Sequence, residues 1–372
     1  MRVLICPDKF AGTLSAGAAA QAIAEGWASV APGDDLVLRP LSDGGPGFVE
    51  VVAAAVGGMR VPVPTVDPLG RPVLGNVLIA DTTGYVESAH ACGLHLLGLD
   101  ERDPKITTSY GLGALIGAAV EAGAREIVVG LGGSGTNDAG AGMLAALGAP
   151  VLDAGGTALP HGGAALVAAA SFGGTPRIRD VQLVAATDVD NPLTGLQGAS
   201  AVFGPQKGAS REDVLLLDAA LGHFAEVLAT LPTCPPGVAG LPGAGAAGGL
   251  GAALLALGGR VVSGIGLVRE LTGLDRELDQ ADLVITGEGS FDAQSLRGKV
   301  AAGIAGGARD RGLPCVVLAG QASTGRREAA AAGVTDTHTL VDYFGNADDA
   351  LARPAEGLSA LASRLAGQWS RT

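Results

Sequence analysis

Apolar residues come in short blocks separated by longer, periodically apolar stretches, and this alternation defines most of the elements. Val3 to Cys6 reads as a buried strand, Ser15 to Val30 as a helix, and Leu36 to Leu38 as the next strand. That is a βαβ unit, and such units build parallel sheets. From Asp67 to Glu87 the pattern changes. Val73 to Ala80 and Tyr85 to Ser88 are extended runs with no helix between them, as in a meander.

The spacing then predicts a helix over Ser109 to Ala122, a strand at Glu126 to Gly130 and a helix over Asp138 to Leu147. A strand at Gln182 to Ala186 and helices at Arg211 to Ala229 and Ala246 to Leu257 follow. Clean alternation returns with strands at Leu283 to Thr286, Cys315 to Leu318 and His338 to Val341. Helices are expected at Gln294 to Arg309, Gly325 to Ala332 and Asp348 to Leu365. The two ends resemble each other and the middle differs. The pattern therefore predicts an α/β protein. A doubly wound domain comes from residues 1–65 plus 260–372, with a second α/β domain, 66–259, inserted.

Composition narrows the function. The net charge is −13, and an acidic surface disfavours nucleic acid. Cys6, Cys92, Cys234 and Cys315 stand apart, which suits a reducing compartment. A charge-free run from Val227 to Gly259 is interrupted by Pro232, Pro235, Pro236 and Pro242, so a membrane span is not expected. The N-terminus has no signal-peptide pattern. A cytoplasmic location is the expectation.

Lysine is scarce. Of 24 basic residues only four are Lys, and Lys9, Lys207 and Lys299 lie in polar, glycine-containing motifs. An ammonium is a compact point charge, unlike a planar guanidinium. Gly132, Gly133, Ser134, Thr136 and Asn137 lie in a glycine loop between a strand and a helix, a pattern that lets backbone N–H groups approach an anion. Asn137 or Asp138 could cap the helix. The loop is neither a Walker A sequence nor a dinucleotide fingerprint. Asp188 and Asp190 follow a strand end and suit Mg²⁺, which prefers oxygen ligands. A turn that binds nothing explains them equally well. Lys207 could reach a phosphate. Asp8 and Lys9, Ser42 and Asp43, and Glu288, Asp292 and Lys299 all follow predicted strands. In open α/β sheets ligands bind at the carboxyl ends of strands. Gly243 to Gly251 looks like a nucleotide loop but reads better as a helix start with small packing residues.

Taken together, these segments resemble the class I glycerate kinase family. The resemblance rests on Pro7-Asp-Lys-Phe10, Ser42-Asp-Gly-Gly45, Asp67-Pro-Leu-Gly70 and Glu87-x-Ala-x-x-x-Gly-Leu94. It continues through Gly132-Gly-Ser134, Thr136-Asn-Asp138, Asp190-Asn-Pro-Leu193, Phe203-Gly-Pro-Gln-Lys-Gly-Ala209, Pro242 to Gly249 and Asp282 to Gly289. The ordered set covers about residues 3 to 320. It implies a flavodoxin-like domain carrying an inserted restriction-enzyme-like α/β domain. It also implies transfer of the ATP γ-phosphoryl to D-glycerate with Mg²⁺, giving 2-phosphoglycerate, in an interdomain cleft.

The roles that follow are expectations. Gly132, Gly133, Ser134, Thr136, Asn137 and Glu288 bind nucleotide. Asp190 and Asp188 hold metal. Asp43, Asp190, Lys207, Asp292 and Lys299 serve the chemistry, with Asp43 or Asp292 as base. Asp8, Lys9 and Ser42 bind substrate. The division between metal ligand and base among the carboxylates stays open. Pro46, Phe48, Leu112, Ala114 and Ser290 depart from the family pattern and could shift substrate preference. A nucleotide-binding sensor, a kinase for a related hydroxy acid and a nicotinamide-dependent oxidoreductase are the rival readings. Oligomeric state is not legible, a homodimer being one option.

Overall fold

The computed structural model describes residues 1–372 except 11, 179, 294, 298, 299, 371 and 372. Along the chain the described strands are β1 (Arg2–Ile5), β2 (Asp35–Leu38), β3 (Met59–Val66), β4 (Pro72–Ala80) and β5 (Thr83–Glu87). They continue with β6 (Glu126–Gly130), β7 (Val151–Leu152), β8 (Ser171–Phe172), β9 (Gln182–Ala186) and β10 (Arg260–Val262). The last are β11 (Leu283–Phe291), β12 (Cys315–Ala322) and β13 (Asp336–Thr339). The architecture is mixed α/β, as the alternation predicts. Two compact units are formed: Met1–Asp43, Glu50–Ala55 and Ile265–Thr372 make unit 1, and Gly44–Val49 and Val56–Gly264 make unit 2.

Unit 1 has an all-parallel sheet in the order β13-β12-β11-β1-β2. Counted along its own strands the order is 2-1-3-4-5, so the winding direction reverses between β1 and β11. Val3, Ile5, Leu283, Ile285, Val316 and Leu318 are fully buried beneath helices Ala16–Ala28 and Pro354–Trp369. Ser15 caps the first of these by accepting from Ala18 N–H, 3.2 Å. Trp27, on that first helix, is fully buried, its indole N–H donating to Asp34, 2.9 Å.

Unit 2 has a six-stranded sheet, β10-β9-β6-β5-β4-β3. β3, β4 and β5 form the antiparallel meander, and β5, β6, β9 and β10 run parallel. β3, whose residues the sequence pattern left with the discontinuous domain, pairs with β4 along its whole length. Its prolines, Pro62 and Pro64, suit the edge position it occupies.

Several element expectations change. The final helix is two, Ala347–Ala352 and Pro354–Trp369, because Pro354 cannot continue a helix but can start one. The expected strand His338 to Val341 stops at Thr339, whose hydroxyl caps a short helix, Leu340–Phe344. β11 continues through Phe291, so Glu288 lies within a strand rather than beyond it. The extension is held by pairing with β12, from Glu288 opposite Ala319 to Phe291 opposite Ala322. Among the described residues no helix is long and apolar enough to cross a membrane.

Candidate active site

In unit 2, β6 delivers the chain into the glycine loop of residues 131–140. Close packing shapes that loop. Gly132 lies so near the Gly45 backbone that a Cβ would come within 2.6 Å of its Cα. Gly248 has φ +70°, inside a left-handed run from Ala247 to Gly249, and a Cβ there would overlap the Thr136 carbonyl oxygen. The regular part of helix Ala246–Ala256 therefore starts only after Gly249.

Lys207 is the other organiser of the loop. It is only 2% exposed, and its Nζ donates to Ser134 Oγ (3.0 Å) and to the Thr136 carbonyl (2.7 Å). Burial lowers its pKa to about 8, with Asp138 and Cys92 opposing. Thr136 Oγ1 and Asn137 Oδ1 are buried without a hydrogen-bond partner among the described residues, while Asn137 Nδ2 donates to Ser200. Such orphans are costly in a finished interior, and a ligand can satisfy them.

One expectation fails here. The helix after the loop is short, Ala141–Ala146, not ten residues long. Ala139 and Gly140 adopt positive φ and delay its start. Asp138 then occupies its N-terminus, accepting from Gly140 N–H and Gly142 N–H, both 3.2 Å. The same carboxylate accepts from Ser109 N–H (2.8 Å) and Ser109 Oγ (2.9 Å) at the start of helix Tyr110–Glu121. Asp138 and Ser109 together occupy the helix start, Ser109 Oγ accepting from Met143 N–H, 3.0 Å. An anion would have to rely on the loop and Lys207.

The loop after β9 places Asp190 on the surface, while the half-buried Asp188 accepts from Ser263 Oγ, 2.6 Å. Sequence reasoning gave Glu87 no role. Its buried carboxylate, at the end of β5, accepts from Gly47 N–H (3.0 Å) and Val49 N–H (3.4 Å) and so anchors the Gly44–Val49 turn. A charged residue closing an otherwise apolar strand was the available signal.

In unit 1, Asp8, Lys9 and Asp43 gather at the carboxyl ends of β1 and β2. Lys9 Nζ is 3.6 Å from Asp8 and 3.4 Å from Asp43. Burial raises the Asp8 carboxyl to about 6, against Lys9 and reinforced by Asp43. Ser42, next to Asp43 in sequence, is buried, and Glu288 is buried on β11. Asp292 instead caps a local turn, accepting from Ser295 N–H, 3.2 Å. Lys299 lies outside the described residues.

Residues 3–370 match the model of the glycerate kinase family. The chain belongs to the glycerate kinase family. It is 41% identical to a glycerate kinase of Bacillus subtilis, over 98% of this chain and 97% of that one. It is equally identical to the glycerate 2-kinase of Escherichia coli, over 94% and 93%. A crystal structure from Salmonella typhimurium, provisionally named glycerate kinase 2, superposes with a TM-score of 0.80 at 39% identity, covering 99% and 98%. This glycerate kinase family member is thus a phosphotransferase, and the resemblance stated from its motifs is established. The described residues contain no group of three His, Cys, Asp or Glu arranged for a metal. Mg²⁺ needs fewer, since it keeps several waters and binds through one or two carboxylates plus substrate phosphates. Asp188 and Asp190, two residues apart with Asp190 exposed, fit that demand.

Proposed function

We propose that this chain transfers the γ-phosphoryl group of ATP to D-glycerate at the 2-hydroxyl. The observation that carries the reading is Lys207, a buried ammonium fastened to Ser134 and Thr136 of the glycine loop. Burying a cation with no carboxylate in direct contact is costly, and anionic phosphate on the other side of the loop offsets that cost. The orphaned Thr136 Oγ1 and Asn137 Oδ1 add polar atoms to the same loop. The 2-position follows from the likeness to the Escherichia coli glycerate 2-kinase.

Phosphoryl transfer depends on positioning and on neutralising charge. Enzymes lower barriers by about 8–23 kcal/mol. With the helix N-terminus committed to Asp138, no share of that comes from it. The Gly132–Thr136 loop holds the donor phosphates through its backbone, and Lys207 places positive charge behind them. Asp190 and Asp188 would hold Mg²⁺, which when bound neutralises phosphate oxygens. Lys9, whose Nζ is 3.4 Å from Asp43, offers a cation for the glycerate carboxylate. The test is ADP release from ATP, Mg²⁺ and D-glycerate, with NMR of the product. Lys207→Ala and Asp190→Asn are each expected to cut kcat/KM at least about 100-fold, a loss of about 2.7 kcal/mol. Near-normal turnover in both variants would remove these roles, and ATP binding without ADP release would favour a sensor.

A further inference from the structure

The reaction needs an acceptor for the hydroxyl proton, and we propose that this acceptor is Asp8. The inference rests on the reading that the chain phosphorylates glycerate, and names the group that deprotonates the substrate.

Position comes first. Asp8 follows β1, and its backbone N–H donates to Gly287 O of β11, 2.8 Å. β1 and β11 are the adjacent strands between which the winding reverses. In open α/β sheets ligands bind outside the carboxyl ends of strands at that point. Cys6, just before, is tied to β11 as well, its carbonyl accepting from Thr286 Oγ1, 2.9 Å. The backbone carrying Asp8 is therefore held to β11 at two points.

The carboxylate is used asymmetrically. Oδ1 accepts from Lys9 N–H, 2.7 Å, and lies 3.6 Å from Lys9 Nζ. Oδ2 accepts no hydrogen bond from the described residues, yet it is not among the fully buried polar atoms that lack a partner. The group is 7% exposed. One oxygen is thus anchored while the other is left to accept a proton, as a base must. The charged groups facing it are Lys9 from its own loop and Asp43 from the loop after β2. Glu288 on β11 follows the Gly287 carbonyl that Asp8 N–H meets. Of the other candidate carboxylates, Asp43 shares Lys9 with Asp8 and Asp292 caps the Ser295 turn. Burial raises the Asp8 carboxyl to about 6, ionised at neutral pH yet more basic than an ordinary aspartate.

The step balances without further reagents. The hydroxyl O–H bond breaks and its proton passes to Asp8 Oδ2. The freed oxygen pair forms the new P–O bond, and the bridging P–O bond of ATP breaks with its electrons leaving on ADP. Asp8 then returns the proton to solvent.

The test compares wild type, Asp8→Asn and Asp8→Glu in the full chain with ATP, Mg²⁺ and D-glycerate. Asn keeps the shape but cannot take a proton. Its kcat is expected to fall about 10²–10⁴-fold, with KM for glycerate nearly unchanged. Wild-type kcat/KM should decline below about pH 6, and this acid limb should vanish in Asp8→Asn. Asp8→Glu should recover part of the turnover with the limb displaced. This also serves if Asp8→Asn folds poorly by circular dichroism. A variant Asn enzyme with wild-type kcat, a rise in KM alone, or a retained acid limb would each overturn the assignment. Wild-type enzyme that releases no glycerate-dependent ADP would instead sink the kinase reading itself, and this proposal with it.

Discussion

Asp8 and Lys207 are charged groups held where charge is expensive, and each should leave a mark on stability. The folded Asp8 carboxyl titrates at about 6 against an ordinary 3.8. Between those values the folded state binds more protons than the unfolded one, so stability falls as pH rises through that window. Above about pH 6 the full cost is present, at most about 3 kcal/mol. Asp8→Asn is therefore expected to melt at a higher temperature than wild type at pH 7. The gain should disappear below about pH 4, and calorimetry across pH checks it. Lys207 titrates at about 8 against 10.5, again through burial. Its cost is complete below about pH 8 and is relieved as pH rises toward 10.5. Lys207→Met removes a cost of about 3 kcal/mol. It also strips the Thr136 carbonyl of its donor, a loss of about 1–3 kcal/mol. The two nearly cancel, so denaturant unfolding should show little change while turnover collapses.

At the scale of elements, Asp138 matters more than its place in a motif suggests. Four hydrogen bonds converge on it from the starts of two helices, Tyr110–Glu121 and Ala141–Ala146. Asp138→Ala should cost several kcal/mol, since bonds to a charged acceptor are each worth about 1.5–3 kcal/mol. A fall in melting temperature of many degrees is the expected reading. A surface cap offers the contrast. Ser210 and Asp213 form a capping box on helix Arg211–Leu228, and Ser210→Ala should cost only about 1 kcal/mol. The long helices and the strands Glu126–Gly130 and Gln182–Ala186 were legible because periodicity and caps are local. The short helix after the glycine loop was not. Its start is delayed by left-handed residues at Ala139 and Gly140, which tertiary packing enforces. β11 outran its apolar core for a similar reason, because pairing with β12 carries glycine-rich sequence into the sheet.

At the scale of the molecule, unit 1 needs both ends of the chain. Helix Pro354–Trp369 covers the same core as Ala16–Ala28, burying Leu358, Leu361 and Leu365 against it. Each buried leucine contributes about 1.5–3 kcal/mol, and a typical domain holds only about 5–15 kcal/mol in reserve. Ending the chain at residue 353 should therefore abolish the folded state, measured as loss of soluble protein and of cooperative melting. The alternation of strands and helices, the ordered motifs and the family were all readable from the chain by itself. Those properties reside in local periodicity and in residue identity. Three features were decided only in three dimensions: the burial of Lys207 under its loop, the convergence of Ser109, Gly140 and Gly142 on Asp138, and the anchoring of Asp8 through one oxygen. Each depends on desolvation and hydrogen bonding between segments far apart in sequence, and no local pattern encodes either.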